Sequence, residues 1–223
     1  MRVVLKEVYQ RLLDALGPQK WWPGDTPFEV MVGAILVQNT NWQNVQRAIS
    51  NLREADLLDL HALYDVHPEE LEELIRPAGY YRIKAKRLRS LLEFLVERYD
   101  GSIEAMFRTP LSTLRQELLS IHGVGPETAD SILLYAGSLP TFVVDAYTYR
   151  IFSRHGWIDL ESDYYQIQEY VHDHLPADAP MFNEFHALLV NLGKHHCKKS
   201  KPLCKTCPLR ELLPQGGPIG KDE

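Results

Sequence analysis

Residues 121–129 read IHGVGPETA, and this stretch decides the fold. Gly123 and Gly125 flank one small apolar residue, so the backbone can turn tightly and approach another surface closely. Pro126 follows at the position where a fixed φ pre-organises the first residue of a helix. Backbone N–H groups at such a helix start form a phosphate-binding site. By itself, however, the G-V-G turn favours an ordinary hairpin between two helices.

Helical periodicity extends outward from this hairpin over most of the chain. The pattern predicts helices near residues 3–16, 28–37, 44–54, 68–75, 83–99, 111–120, 126–135, 146–155, 164–174 and 181–195. The β-rich run at residues 141–144 is short and is followed at once by a helical pattern. No βαβ pattern and no internal repeat is present. The sequence therefore predicts an all-α fold.

Composition and charge limit the possible classes of protein. The chain has 223 residues, 45% of them hydrophobic and 24% charged, which predicts a packed core of one large or two small domains. The net charge of −6 alone argues against nucleic acid as a partner. The charge is segregated, however: residues 82–89 are basic, and five lysines without an acid lie between Lys194 and Lys205. This segregation permits one basic face of the protein to bind phosphates.

The remaining bulk features predict a cytoplasmic, reduced protein. No run approaches the roughly 18 to 20 apolar residues of a membrane span, so no membrane partner is expected. Residues 3–16 form an amphipathic pattern rather than the continuous apolar run of a signal peptide. The three cysteines are odd in number and lie together near the C-terminus, which argues against a disulfide framework.

Asp145 is the candidate catalytic residue. It ends the apolar run Phe142-Val143-Val144 and precedes a predicted helix, a position that suits a carboxylate held at the rim of a core. The alternative is a helix N-cap, a role that Asp fills well and that contributes about 1 kcal/mol. The two roles are compatible, because capping would also hold the carboxylate in place.

These segments resemble the endonuclease III superfamily of base-excision DNA glycosylases. The hairpin and Asp145 match the family's helix–hairpin–helix and its invariant Asp. Residues 28–40 (FEVMVGAILVQNT) resemble its early helix with a Gln-containing loop, and residues 79–86 resemble its G-[FLY]-Y-x-x-K-A segment. The resemblance implies damaged double-stranded DNA as the partner of a monomeric enzyme, which is expected to be cytoplasmic and associated with the nucleoid.

The same resemblance implies the architecture and the DNA contacts. Residues 25–138 are expected to form a six-helix domain that ends in the hairpin. Residues 1–24 and 139–223 are expected to form a second helical domain, with a DNA-binding cleft between the two. The implied DNA-binding residues are Gln38, Gly123, Val124, Gly125 and Thr128. Gln38 would fill the space left by a flipped base, although a polar loop residue could equally cap a helix.

The chemistry implied for Asp145 is stabilisation of an oxocarbenium-like sugar and assistance to an attacking water. Bifunctional members of the family carry a nucleophilic lysine two residues after the second hairpin glycine. Glu127 occupies that position here and cannot form an imine. The sequence therefore favours a monofunctional glycosylase without lyase activity, in which Glu127 complements the helix dipole.

An aromatic set resembles the bacterial 3-methyladenine glycosylase branch of the superfamily. That branch has a W-W-P run, a Q-N-T loop with a nearby aromatic, and the hairpin pattern G-x-G-x-[ES]-[ST]-A-D seen at residues 123–130. The implied base pocket consists of Trp21, Trp22, Pro23 and Trp42. Indole faces attract cationic alkylated purines. The alternatives are core packing for each Trp, a glycosylase for mismatched, deaminated or oxidised bases, and a non-catalytic hairpin protein that binds DNA.

Cys197, Cys204 and Cys207 have the spacing C-x6-C-x2-C. This resembles the [4Fe–4S] motif of endonuclease III, whose fourth cysteine would fall at Leu213. Three alternatives stay open: a cluster with a non-cysteine ligand at the fourth iron, a Cys3His zinc site that uses His195 or His196, and a loop that keeps its fold without metal.

Overall fold

The computed structural model describes residues 5–19, 21 and 24–220, and within these ranges it contains helices but no β-strand. The predicted all-α fold is confirmed. The α-helices of the described chain are α1 (Leu5–Leu16), α2 (Pro27–Leu36), α3 (Trp42–Glu54), α4 (Leu60–Asp65), α5 (Pro68–Leu74), α6 (Tyr81–Tyr99), α7 (Ile103–Phe107), α8 (Leu111–Ser120), α9 (Pro126–Ser131), α10 (Ala146–Arg154), α11 (Tyr164–His174) and α12 (Ala179–His195). None of these helices combines the length and the apolarity that crossing a membrane requires.

The described residues form two compact units. The terminal unit contains residues 5–19, 21 and 140–220, and the central unit contains residues 24–139. The bounds of the functional domains, the cleft between them and the monomeric state stay predictions.

Helix α2 forms the core of the central unit. Thr26 caps it by accepting a hydrogen bond from the Glu29 N–H, and Pro27 occupies the first helical position. Every residue from Phe28 to Leu36 is buried, which explains its nearly uniform apolar sequence. Helices α3, α6 and α9 pack around it. The Gln38 loop and the hairpin are therefore anchored on one packed core.

Three features of the central unit differ from the sequence pattern. Helices α4 and α7 are too short to show a clear period and were not predicted. The predicted helix over 126–135 is regular only to Ser131 and continues as a π-helical turn, Ile132–Ala136. Ile132, Leu133 and Leu134 are all buried there, so this segment is a continuous apolar run in the sequence. Such a run has no period that would distinguish an α-helical turn from a π-helical turn.

The basic run of residues 82–89 is not a uniformly exposed cationic face. Lys84 is buried, and its Nζ donates hydrogen bonds of 2.8 Å to the carbonyl oxygens of Leu36 and Ala78. Arg89 donates to the carbonyl oxygens of Tyr64 and Val66. The hydrogens of these two side chains therefore satisfy carbonyl oxygens within the central unit, whereas the prediction that one face of the protein binds phosphates stays a prediction.

The terminal unit packs α10 and α1 against α12 around an aromatic core of Phe142, Phe152, Phe182 and Phe185. Residues 141–144 are buried and extended without joining a sheet. Side chains of α11 provide hydrogen-bond partners for the backbone of Phe142 in this segment. The Phe142 N–H donates to His172 Nε2 at 3.0 Å, and the Phe142 carbonyl accepts from Gln168 Nε2 at 2.7 Å. This buried segment leads directly into Asp145.

Candidate functional site

The hairpin joins α8 to α9 and contains two glycines with different surroundings. Gly123 has a φ of +84°, and a Cβ at this position would lie 2.3 Å from Cγ of Arg87. Gly125 has a φ of −94°, caps α9 ahead of Pro126, and has nothing within 4 Å of a Cβ position. Gly123 is therefore required for packing within the unit, whereas Gly125 leaves the outer surface of the backbone open.

The side chain of Gln38 makes hydrogen bonds to the hairpin and to α6. Its Nε2 donates to the carbonyl oxygen of Gly123 at 3.1 Å and to Oγ1 of Thr128 at 2.9 Å. Its Oε1 accepts a hydrogen bond from the Arg87 guanidinium. In this structure Gln38 therefore neither caps a helix nor extends into solvent, and entry into a duplex requires these bonds to break.

The other two predicted hairpin contacts are buried. The side chains of Val124 and Thr128 lie inside the central unit, so a DNA contact at either position comes from the backbone. A bidentate pair supports the hairpin: Nε and Nη2 of Arg115 on α8 lie 2.8 Å from the two carboxylate oxygens of buried Asp130 on α9. The Arg115–Asp130 pair thus joins the two helices of the hairpin.

Asp145 lies at the N-terminus of α10 in the terminal unit. Its Oδ1 accepts from the Thr148 N–H at 2.7 Å and from Oγ1 of Thr148 at 2.9 Å, so it caps the helix. Its Oδ2 lies 3.6 Å from Nε2 of His186 on α12. The side chain is 13% exposed, which leaves one edge of the carboxylate accessible.

The surroundings of Asp145 stabilise its ionised form. Burial alone would raise the pKa of Asp145, but the interactions with His186 and Thr148 outweigh it and hold the pKa below its ordinary value. The dipole of α10 acts in the same direction. The site therefore presents a fixed carboxylate anion at neutral pH, which suits the stabilisation of a developing positive charge.

Trp21 lies in the same cluster. Its ring meets the His186 ring edge-on at a centroid distance of 6.4 Å, and Nζ of Lys194 lies 5.6 Å from the indole centroid. The structure thus brings Asp145, His186 and Trp21 together within the terminal unit. The predicted pocket residues Trp22 and Pro23 lie outside the described residues.

Trp42 belongs to the central unit. It begins α3 and is partly buried against the core of that unit. With Glu29 and Arg53 it lines an open cavity of about 510 Å³, in which Nη2 of Arg53 lies 2.9 Å from the Glu29 carboxylate. Trp42 is therefore partly packed and partly in a cavity, and its role in a base pocket stays a prediction.

Glu127 occupies the first turn of α9, and its side chain is exposed. A carboxylate at this helix end complements the dipole. No amine is present at the hairpin position where the sequence resemblance implies a lysine nucleophile.

The cysteine loop closes over a small cavity at the end of α10. The three cysteines line it together with Arg154, His155, His196, Leu213 and Pro218. Burial, with nearby Cys197 and Cys204, raises the pKa of the Cys207 thiol despite an opposing hydrogen bond from the Leu209 backbone. Nη1 of Arg154 lies 3.5 Å from Sγ of Cys197.

The three cysteines and two histidines of this cavity are the donors that an iron–sulfur cluster or a zinc ion would use, and the choice between a cluster, zinc and no metal stays open. The three thiols face one space, and cationic Arg154 beside them offsets thiolate charge. Yet no three His, Cys, Asp or Glu side chains in the described ranges are close enough to hold one metal ion. A cluster binds each ligand through a different iron, so its ligands do not converge on one point.

Comparisons with known proteins place the chain in a family. Residues 32–176 match the HhH-GPD superfamily of base excision DNA repair proteins. The chain belongs to this superfamily: it is a DNA-binding base excision repair glycosylase with an endonuclease III-like fold.

Three relatives define the closer neighbourhood. A Methanocaldococcus jannaschii protein provisionally named a DNA repair glycosylase is 51% identical over 211 residues, 94% of this chain and 95% of that protein. A trapped endonuclease III–DNA covalent intermediate aligns with a TM-score of 0.82 at 25% identity, covering 95% of each chain. The H. pylori 3-methyladenine DNA glycosylase bound to 1,N6-ethenoadenine aligns with a TM-score of 0.73 at 31% identity, covering 84% of this chain and 96% of that one.

Sequence reasoning missed His186, Thr148 and Arg87 as supporting residues. Thr148 carried a usable signal, because the third position after an Asp N-cap supplies the N–H that the cap accepts. His186 carried none, since it comes from α12 and meets Asp145 only through the packing of α10 on α12.

Proposed function

We propose that this glycosylase is monofunctional and removes alkylated purines of the 3-methyladenine type from damaged double-stranded DNA. The observation that carries the proposal is the Asp145 carboxylate, held ionised by Thr148 and His186 beside the Trp21 indole. The presence of Glu127 in place of an amine supports the same mechanism.

The proposed chemistry needs only a carboxylate and water. As the bond between C1′ and the base breaks, the sugar gains positive charge that the Asp145 anion stabilises. Water then adds to C1′ and loses a proton, for which Asp145 is the acceptor. His186 keeps Oδ2 in place while Thr148 holds Oδ1, so the carboxylate needs no reorganisation during the reaction.

The proposed substrate class follows from the aromatic residues and from one relative. N3- and N7-alkylated purines are cationic, so an indole face attracts them and their glycosidic bonds break readily. The H. pylori 3-methyladenine glycosylase, 31% identical to this chain, is bound to a modified adenine. Neutral lesions have stronger glycosidic bonds, so their removal needs more catalytic assistance than a carboxylate and water supply.

A base-release assay tests the proposed substrate. Wild type should release 3-methyladenine at least about tenfold faster than uracil, because a desolvated cation–π contact contributes about 1–2 kcal/mol. Trp21→Ala and Trp42→Ala should lower this ratio. Tyr165→Ala removes an exposed aromatic of α11 and serves as the matched control. Equal or faster release of uracil by wild type would refute the substrate class.

We further propose that Cys197, Cys204 and Cys207 hold a [4Fe–4S] cluster, as the spacing and the shared cavity support. When bound, the cluster cross-links the loop through iron–thiolate bonds and has no part in base removal. The lysines between Cys197 and Cys204 would then be held toward DNA phosphates.

A further inference from the structure

The cysteine cavity supplies three thiols, but a [4Fe–4S] cluster ordinarily takes four protein ligands. At the position of the fourth cysteine stands Leu213, which lines the cavity and has no donor atom. Of the other residues that line it, Arg154 and Pro218 offer no side-chain lone pair for a metal. The remaining donors are the two histidines, His155 and His196.

His155 has the local geometry of a metal ligand. It follows α10 and is 6% exposed. Its Nδ1 lies 2.7 Å from the carbonyl oxygen of Ile151, so Nδ1 carries the proton and Nε2 keeps its lone pair. Metal-binding histidines usually donate their other ring N–H in this way.

The second nitrogen of His155 is available for a ligand. Nε2 is buried and makes no hydrogen bond with the described residues. A buried, unsatisfied nitrogen is costly, and a metal would satisfy it.

His155 also lies beside the segment that carries the missing cysteine position. A Cβ on the neighbouring Gly156 would be 3.8 Å from Cγ of Pro214, the residue after Leu213. The Ile219 N–H donates to the Arg154 carbonyl oxygen at 2.8 Å, which fixes the same segment against the end of α10. His155 and Leu213 therefore belong to neighbouring segments and line the same cavity.

We propose that Nε2 of His155 is the fourth protein ligand of the cluster. The inference rests on the cluster proposed above and adds a Cys3His ligand set that uses the histidine directly after α10. A neutral imidazole replaces a negatively charged thiolate, so the cluster should have a higher reduction potential than one with four cysteines.

His196 is the competing donor. Its Nδ1 is also buried without a hydrogen bond to the described residues, and it lines the same cavity. It is more exposed than His155, and no hydrogen bond from the described part of the chain fixes its ring. His196→Ala is therefore the matched control for His155→Ala.

The experiment uses full-length protein reconstituted without oxygen from ferrous iron and sulfide. Iron content and the rate of iron loss to a chelator are measured for wild type, His155→Ala, His196→Ala and the double variant His155→Ala/Leu213→Cys. Pulsed electron paramagnetic resonance of the reduced cluster, with nitrogen-15-labelled histidine, detects a bound imidazole. A redox titration compares wild type with His155→Cys.

We expect a histidine nitrogen coupling in wild type and in His196→Ala but not in His155→Ala. His155→Ala should lose iron about tenfold faster or more, because even outer-shell changes cost about 10- to 100-fold in metal affinity. Leu213→Cys should restore iron retention in that background. His155→Cys should lower the reduction potential.

The contrary outcomes separate two failures. A nitrogen coupling that survives in His155→Ala, or one that disappears in His196→Ala, overturns the assignment of His155 while the cluster stands. Wild type that binds no iron, or binds stoichiometric zinc instead, overturns the cluster and this inference together. Base release measured on the same samples reports separately on the glycosylase proposal.

Discussion

Asp145 in the terminal unit and Lys84 in the central unit are both nearly buried. The surroundings of Asp145 stabilise its charged form, whereas the surroundings of Lys84 destabilise it. For Asp145, His186 and the donors of Thr148 outweigh burial and hold the pKa below its ordinary value. For Lys84, burial and the nearby Arg87 cation lower the pKa from 10.5 to about 8, despite two carbonyl acceptors. One environment favours the ion, whereas the other disfavours it.

The difference accompanies the chemical role proposed for Asp145 and the structural contacts of Lys84. A carboxylate that must face a developing cation has to stay ionised, so its neighbours are donors and a histidine. A lysine that only joins the end of α2 to the turn before α6 needs donor hydrogens rather than charge. Here the lowered pKa of Asp145 favours the ionised form that the proposed chemistry uses, whereas the lowered pKa of Lys84 accompanies a buried contact within the central unit.

The largest expected effect is the loss of base release when Asp145 is replaced. Asp145→Asn keeps an oxygen that can cap α10 but removes the anion. We expect single-turnover release of 3-methyladenine to fall by about 10²- to 10⁴-fold, the usual range for loss of a general base, with little change in Kd for damaged duplex.

Asp163→Asn is the matched control for this variant. Asp163 caps α11 by accepting from the Gln166 N–H, as Asp145 caps α10, but it lies on the surface. We expect release within about twofold of wild type, since surface substitutions usually change stability by less than about 0.5 kcal/mol. Equal losses in both variants would show that Asp145 serves only as a cap.

The lowered pKa of Lys84 predicts that stability depends on pH. Between about pH 8 and 10.5 the unfolded chain binds the Lys84 proton and the folded protein does not. The free energy of unfolding should therefore rise with pH in this window. Relative to Lys84→Met, wild type should gain up to about 3 kcal/mol, at about 1.4 kcal/mol per pKa unit.

Urea unfolding of both proteins across this window measures the gain, because groups common to the two proteins cancel in the difference. A difference that is constant, or that falls as pH rises, would contradict the lowered pKa of Lys84.

Substitutions of the two hairpin glycines are expected to have the smallest effects. One substitution should lower stability and the other should weaken DNA binding. Gly123→Ala combines a positive φ with a clash against Arg87, so it should lower the free energy of unfolding by about 1–3 kcal/mol. Gly125→Ala meets open space and should leave stability nearly unchanged. It should nevertheless weaken DNA binding by about tenfold, about 1.4 kcal/mol, because a methyl group keeps phosphate from the backbone.

Fluorescence anisotropy with duplex DNA and urea unfolding distinguish the two variants. Wild-type affinity in Gly125→Ala would show that this face of the hairpin does not approach the phosphate backbone.

Local patterns in the sequence were sufficient for much of this structure. The periodicity located the long helices, and Pro126 after Gly125 located the start of α9. The π-helical turn and helices α4 and α7 were not predictable, because a continuous apolar run or a single turn carries no distinct period.

The site was less accessible to sequence reasoning. Asp145 was found because an apolar run ends there, but His186 is 41 positions away on another helix and reaches it only through packing. Lys84 and Arg87 were read as surface cations, although one is buried and the other donates to Gln38. Long-range partners of a buried charge depend on tertiary contacts, which a single sequence does not display.

Borohydride trapping tests the central claim most directly, namely that Asp145 and water remove the base without an enzyme amine. Wild type is incubated with DNA containing 3-methyladenine in the presence of borohydride, and an endonuclease III that yields a trapped covalent intermediate is the positive control. We predict free base, an intact abasic strand and no protein–DNA adduct. A covalent adduct or a cleaved strand formed by wild type would contradict the account.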